Sequence, residues 1–321
     1  MRVIVIGAGA IGGWLAGTLA RGGAEVALVA RGATLDRLRE HGLTLIEGDR
    51  RQVFRLPAAA RVADLPKADA VVLAVKTYAF GDVVADAGPA LAHGPLFVTA
   101  MNGLPWWFLE GLDGPLKDQR LESIDPGGKG AALLGKVRPV GAVVHVSARA
   151  EGPGVVHVAA VDRLILGEPG GDASRETSTL GELVTGGGAR CDITATVRSE
   201  IWAKLWGNMN MNPVSALTRL TANGILGDAH LLQLVRDMMT EFTHVGAQLG
   251  LPLPMTVDER LVITRRLGDF RTSMLNDVEG KRPLEVEALL GSVVELADKL
   301  GTPVPASRAV YALARGLNRA L

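Results

Sequence analysis

Residues 1–31 read MRVIVIGAGAIGGWLAGTLARGGAEVALVAR, and the order of residue types in this stretch decides the fold. Val3–Ile6 is a short β-branched apolar run, the kind of strand that is buried on both faces of a parallel sheet. It runs into Gly7-Ala8-Gly9-Ala10-Ile11-Gly12, then into the helix-compatible stretch Ala10–Arg21, and then into a second strand-like run, Glu25–Ala30. In that setting Gly7 permits a tight turn, Gly9 lets a pyrophosphate approach the backbone, and Gly12 lets helix and strand pack closely. The helix N-terminus, with Ala10 and Ile11 in its first turn, offers unpaired N–H groups and a positive dipole end. A glycine triplet alone is a weak signal; strand, glycines, helix and second strand in order make it a dinucleotide-binding turn.

The residue after the second strand selects the nucleotide. NAD-dependent sites place an Asp or Glu there to accept hydrogen bonds from the adenosine ribose, whereas this chain has Arg31, a guanidinium suited to a 2′-phosphate. NADPH is therefore the expected cofactor, with an ordinary surface arginine as the alternative. Val3 to Ala20 is uncharged and superficially imitates a leader peptide or membrane segment. Its five glycines (Gly7, Gly9, Gly12, Gly13 and Gly17) and its direct continuation into a second strand argue for the turn instead.

Composition narrows the remaining classes. The 321 residues balance 34 Lys+Arg against 34 Asp+Glu, so no net field would gather nucleic acid or an anionic membrane. Cys191 is the single cysteine, which excludes an intramolecular disulfide framework and a multi-cysteine zinc site and suits a reducing cytoplasm. No metal site is expected. The length suits two domains.

Outward from the first strand, Val26–Val29, Ala70–Val75 and Leu96–Ala100 continue the strand series. Between them Leu35–His41 and Asp82–Leu91 suit crossover helices, giving a doubly wound α/β domain of the Rossmann type. Gly48-Asp49 between Leu43–Glu47 and Gln52–Leu56 predicts a β-hairpin. Runs at Gly141–Ala148, Gly154–Ala160 and Arg163–Leu166 are expected to add three antiparallel strands. After about residue 195 the pattern turns helical, with Ser199–Met211 stopped by Pro213, then Leu231–Leu249, Asp258–Leu267, Leu284–Leu300 and Ala306–Leu321. The expected division is a nucleotide-binding domain, 1–195, and an all-helical substrate or dimerisation domain, 196–321. Leu231, Leu232, Val235, Met238 and Met239 could pack internally or form the surface of a homodimer.

The chemistry-bearing residues lie mostly in the helical half. In Ser199–Pro213, SEIWAKLWGNMNMNP, Lys204, Asn208 and Asn212 recur at i, i+4 and i+8 on one stripe flanked by apolar residues. Asparagine is a poor helix former, so this is a semi-buried polar stripe whose amides need partners, from a substrate or from neighbouring backbone. A lysine there can serve as a general acid, because desolvation brings its pKa toward neutrality; a lysine snorkelling to water is the alternative. Pro283 at a first helical position would put Glu285 in a first turn, where the dipole favours a carboxylate. Ser273 precedes it by twelve residues and could simply be a capping or helix serine. Asn102, before Gly103, and Lys76 both end strands at the carboxyl edge of the sheet, where open α/β folds place ligands.

Taken together, GAGAIG, the arginine after the second strand, VVLAVK ending at Lys76, AMNG at Asn102, KLWGNMNMNP from Lys204 and SMLNDVEGKRPLEVE from Ser273 resemble the ketopantoate reductase (2-dehydropantoate 2-reductase) family along nearly the whole chain. The resemblance implies a Rossmann domain followed by a helical one, with NADPH between them and a 2-keto acid as the small-molecule substrate, in pantothenate biosynthesis. It implies that Lys204 protonates the carbonyl oxygen as hydride reaches C2, that Asn208 and Ser273 hold the carboxylate, and that Glu285 hydrogen-bonds a substrate hydroxyl. Asn102 matches an asparagine beside the nicotinamide and Lys76 a lysine near the cofactor. Asn223 matches a substrate asparagine only if one residue is inserted.

Departures accompany the match. Leu284-Glu285-Val286-Glu287 stands where members often have Thr-Glu-Ile-Asp, Gly141–Val144 replaces a threonine-rich strand, and Phe270 replaces an asparagine. The implied pocket is more apolar than usual, so a paralogous NADPH-dependent reductase of a different 2-keto acid is an alternative. So are a β-hydroxyacid dehydrogenase, in which a lysine and an asparagine one turn apart serve similar chemistry, and a non-catalytic NADPH sensor, which would not need Lys204, Asn208 and Glu285 together.

Overall fold

The computed structural model describes residues 1–321. In chain order its elements are β1 (Arg2–Ile6), α1 (Ala10–Arg21), β2 (Glu25–Val29), α2 (Gly32–His41), β3 (Leu43–Glu47), β4 (Arg50–Phe54), β5 (Ala58–Ala59), β6 (Ala70–Leu73), α3 (Phe80–Ala87) and β7 (Leu96–Thr99). They continue with α4 (Lys129–Leu133), β8 (Arg138–Gly152), β9 (Val155–Gly167), α5 (Arg175–Gly186), β10 (Cys191–Ile193) and α6 (Val197–Thr218). The remaining helices are α7 (Ala222–Gly227), α8 (Ala229–Gln248), α9 (Val257–Arg266), α10 (Ser273–Glu279), α11 (Ser292–Leu300) and α12 (Pro305–Ala320). None is long and apolar enough to cross a membrane.

Ten strands form one sheet in the order β4-β3-β9-β8-β7-β6-β1-β2-β5, with β10 on β9. From β5 through β2, β1, β6 and β7 to β8 every pairing is parallel. This is the 3-2-1-4-5-6 winding of a Rossmann domain, whose direction reverses between β1 and β6 and leaves a crevice at their carboxyl ends. The β3–β4 hairpin, closed by Gly48-Asp49, is carried to the opposite edge, where β3 pairs parallel with β9. The side chains of Trp14, Leu15 and Leu19 bury α1 against the sheet, each contributing roughly 1.5–3 kcal/mol.

The strands after residue 138 differ from the sequence expectation. β8 first pairs parallel with β7 and only then antiparallel with β9, and the two runs at 154–160 and 163–166 are one strand with register shifts in its pairing. α5, capped by Ser174 and burying Thr177, Leu180, Gly181 and Val184 on one face, and the short strand β10 are additions to the expected elements. Pro213 does not stop α6; it lies inside the helix. A proline there costs an i→i−4 hydrogen bond, but Met209–Ala216 is buried throughout, so packing holds the helix across it.

The chain divides into two compact units, Met1–Met101 with Gly128–Glu200, and Asn102–Gly127 with Ile201–Leu321. Against the expected division at 195/196, the boundary falls at 200/201, and one segment, Asn102–Gly127, groups with the helices. Its Trp107, Phe108 and Leu109 are fully buried, and Phe108 stacks on Trp202 of α6 with ring centroids 6.1 Å apart. Glu295 of α11 accepts the backbone N–H groups of Glu122 and Ser123, each at 2.8 Å. In the same unit Trp202 stacks on Phe242 at 3.9 Å, and buried Glu241 accepts the N–H groups of Ala306 and Ser307 at the start of α12, each at 2.8 Å. Val235, Met238 and Met239 are spent on this internal core.

Candidate active site

In the first unit, the crevice predicted at the β1–α1 turn is present. Gly7 has φ +99°, and a Cβ on it would lie 2.6 Å from the Ala74 carbonyl oxygen; one on Gly12 would lie 1.8 Å from the Gly7 oxygen. Both positions therefore exclude any larger residue. Gly9 is different: a Cβ there would meet no protein atom within 4 Å, so its backbone faces open space. The first intrahelical bond of α1 is Gly13 N–H to the Gly9 oxygen, at 2.8 Å, which leaves the N–H groups of Ala10, Ile11 and Gly12 pointing out of the helix end. A cavity of about 510 Å³ begins here, lined by Gly7, Gly9, Ala30, Arg31, Val62 and Asp86 among others. Its size, open glycine and cationic rim fit a dinucleotide.

Arg31 is half-engaged at that rim. Asp86 lies 3.8 Å from its guanidinium and is held more tightly by Arg61, at 2.9 Å. Asp86 and Arg61 lie 55 and 30 residues from Arg31 and have no local sequence signature, so reading the chain missed them. Lys76 follows β6 at the same carboxyl edge and is half-buried.

In the second unit, α6 supplies the polar stripe. From Ile201 to Ala216 only Ala203, Lys204, Gly207 and Asn208 are half-buried and the rest are buried, so the helix has one narrow open face. Lys204 Nζ donates to Asn102 Oδ1 at 3.3 Å. Asn102 owes its place to Gly103, whose φ is +80° and whose Cβ would fall 2.5 Å from the Ala288 carbonyl oxygen. Burial brings the Lys204 pKa down to about 8, against the opposing attraction of the Glu285 carboxylate.

The helix expected from Pro283 starts three residues later, so Glu285 immediately precedes it instead of lying in its first turn. The Glu285 carbonyl accepts the N–H of Leu289 at 3.2 Å, and the helix begins only at Val286, with a π-turn over Glu287–Gly291. Leu284 is kept out of the helix by donating its N–H to Asn318 Oδ1 at 2.7 Å. Such π-turns are rare and concentrate at functional sites.

Asn212 Nδ2 donates to Ser273 Oγ at 3.4 Å, joining α6 to the first residue of α10. Asn223 is not drawn into these contacts: it is exposed on α7, with only its backbone N–H tied to Asp269 at 3.2 Å.

The family model for ketopantoate reductase PanE/ApbA matches residues 3–171, and that for its C-terminal domain matches residues 196–318. The chain belongs to the ketopantoate reductase family. A 2-dehydropantoate 2-reductase of Mesorhizobium japonicum is 39% identical over 318 residues, 99% of this chain and 98% of that protein. A Ralstonia solanacearum MolK2 protein assigned to the ketopantoate reductases superposes with a TM-score of 0.93 at 38% identity, covering 99% of this chain and 98% of its own. The crystal structure of 2-dehydropantoate 2-reductase from Methylococcus capsulatus gives 0.85 at 26% identity, covering 100% and 97%. The chain is accordingly an oxidoreductase with the α/β-then-helical architecture of the ketopantoate reductase family.

Proposed function

We propose that the protein reduces 2-dehydropantoate to pantoate, with NADPH as hydride donor and Lys204 as general acid. The observation that carries this reading is the lysine itself: a half-buried ammonium 3.3 Å from Asn102 Oδ1, with its pKa brought down to about 8. At neutral pH such a group is still protonated, yet it surrenders its proton far more readily than a solvated lysine.

When bound, NADPH supplies the hydride to the substrate's C2. Gly9, Ala10, Ile11 and Gly12 would hold its pyrophosphate through backbone N–H groups, while Gly7, whose own N–H is donated to the Val29 carbonyl at 3.0 Å, would shape the turn beneath it; Arg31 would hold its 2′-phosphate, and Lys76 and Asn102 would lie toward its nicotinamide end. Lys204 gives its proton to the carbonyl oxygen as negative charge develops there, while Asn102 fixes the ammonium's direction. Glu285 accepts a substrate hydroxyl, and its charge keeps Lys204 protonated. Asn208, on the same open face of α6, and Ser273 hold the carboxylate. Asn212 positions Ser273 by donating to its hydroxyl. Asn223 lies outside this set.

The experiment is steady-state NADPH oxidation with 2-dehydropantoate, run beside NADH and unhydroxylated 2-keto acids. NADPH-selective turnover of 2-dehydropantoate is the expected result. Turnover of another keto acid alone would replace the substrate, and NADPH binding without any turnover would replace the enzyme by a sensor.

A further inference from the structure

The open face of α6 carries one group to which the reaction as described gives no role. Arg260, on α9, lays its guanidinium on Gly207: a Cβ added there would meet Nη2 at 2.7 Å. Gly207 is one of the four half-buried residues of α6 between Ile201 and Ala216, beside Asn208 and one turn from Lys204. The cation therefore lies against the patch that presents the proton donor.

No carboxylate answers it. The neighbouring acids of α9 are engaged elsewhere: Glu259 accepts from the Thr256 N–H at 2.7 Å in a capping box, and Asp258 pairs with Arg236 at 2.5 Å. Burial lowers the Arg260 pKa, and no neighbouring charge offsets that. Partly buried guanidinium groups are ordinarily paired, because an unpaired charge keeps its desolvation penalty. A guanidinium is also the side chain best shaped to take both oxygens of a carboxylate.

We propose that Arg260 is the cationic partner of the substrate's carboxylate, so that this site selects 2-keto acids over their neutral analogues. The inference rests on the reading of the protein as a 2-keto acid reductase and adds the residue that recognises the acid group. Gly207 is part of the device, since any side chain there would displace the guanidinium.

Binding of 2-oxoisovalerate and of its neutral amide to the full-length protein, measured by calorimetry in the presence of NADP+, tests it. The wild type should bind the acid more tightly than the amide. Arg260→Gln should weaken the acid by about 30-fold or more and the amide by less than about threefold. Arg260→Lys should fall between. Gly207→Ala keeps the charge and favours the helix; it should reproduce the acid-selective loss even if Arg260→Gln folds poorly. Equal affinity of the wild type for acid and amide, unchanged acid binding in both variants, or equal loss of both ligands would each overturn the proposal. Inertness toward 2-dehydropantoate, with Arg260-dependent acid binding retained, would sink the proposed substrate and leave Arg260 standing.

Discussion

The β1–α1 turn and the Lys204 face are two sites built in opposite ways. The turn is made of backbone: three glycines within six residues, two of them blocked by neighbouring atoms and the third open. The Lys204 face is made of side chains from separate segments, with Asn102 and Lys204 meeting across 102 positions of sequence and Asn212 and Ser273 across 61. A backbone site depends on local geometry and survives changes of side chain elsewhere; a side-chain site depends on the whole unit holding its parts in register. The first should therefore fail through cofactor affinity, the second through chemistry.

The largest effect should separate the two at once. Lys204→Ala should lower kcat by about 100-fold or more while leaving the Kd for NADPH unchanged; equal loss of both would mean that Lys204 is structural. The wild-type kcat/KM should fall as pH rises through about 8, because the donor is the protonated lysine, whose pKa lies there. That alkaline limb should be absent from Lys204→Ala.

Next in size, Arg31→Ala should cut the preference for NADPH over NADH by about 10–100-fold, the worth of a charged hydrogen bond. A selectivity ratio that does not move would make Arg31 a surface arginine already satisfied by Asp86, 3.8 Å away.

The smallest effect sharpens the backbone side. Gly9→Ala should leave Tm within about 2 °C of wild type, since a Cβ there meets nothing in the protein, and should weaken NADPH roughly tenfold by crowding the pyrophosphate. Gly12→Ala is its counterpart and should compromise folding, because its Cβ would fall 1.8 Å from the Gly7 oxygen. If both variants behaved alike in thermal melts, the distinction between ligand-facing and packing glycines would be lost.

Legibility followed the same divide. The first four parallel strands, the crossover helices and the hairpin could be read because apolar runs and turn residues act over a few positions. The segment Asn102–Gly127 could not be assigned, because Phe108 and Glu295 act on partners in other elements. The Lys204, Asn208 and Asn212 stripe was visible from its period of four. Asn223, in contrast, was exposed on α7 rather than joined to the others, and Glu285 lay ahead of its helix because Asn318 holds Leu284 out of it.

By itself, the sequence determined a nucleotide-binding α/β domain, a helical second half and a lysine stripe, since each depends on spacing along one element. Tertiary structure alone decided that Asn102 belongs with the helices and meets Lys204, that burial brings this lysine down to about 8, and that Asp86 stands beside Arg31. It alone also put an unpaired guanidinium on Gly207. The physical reason is common to all four. Desolvation and charge pairing depend on distance through space, and residues far apart in the chain set that distance only when the core of their own unit has packed, which for Arg31 and Asp86 is the first unit and for the other three is the one around Trp202 and Phe242.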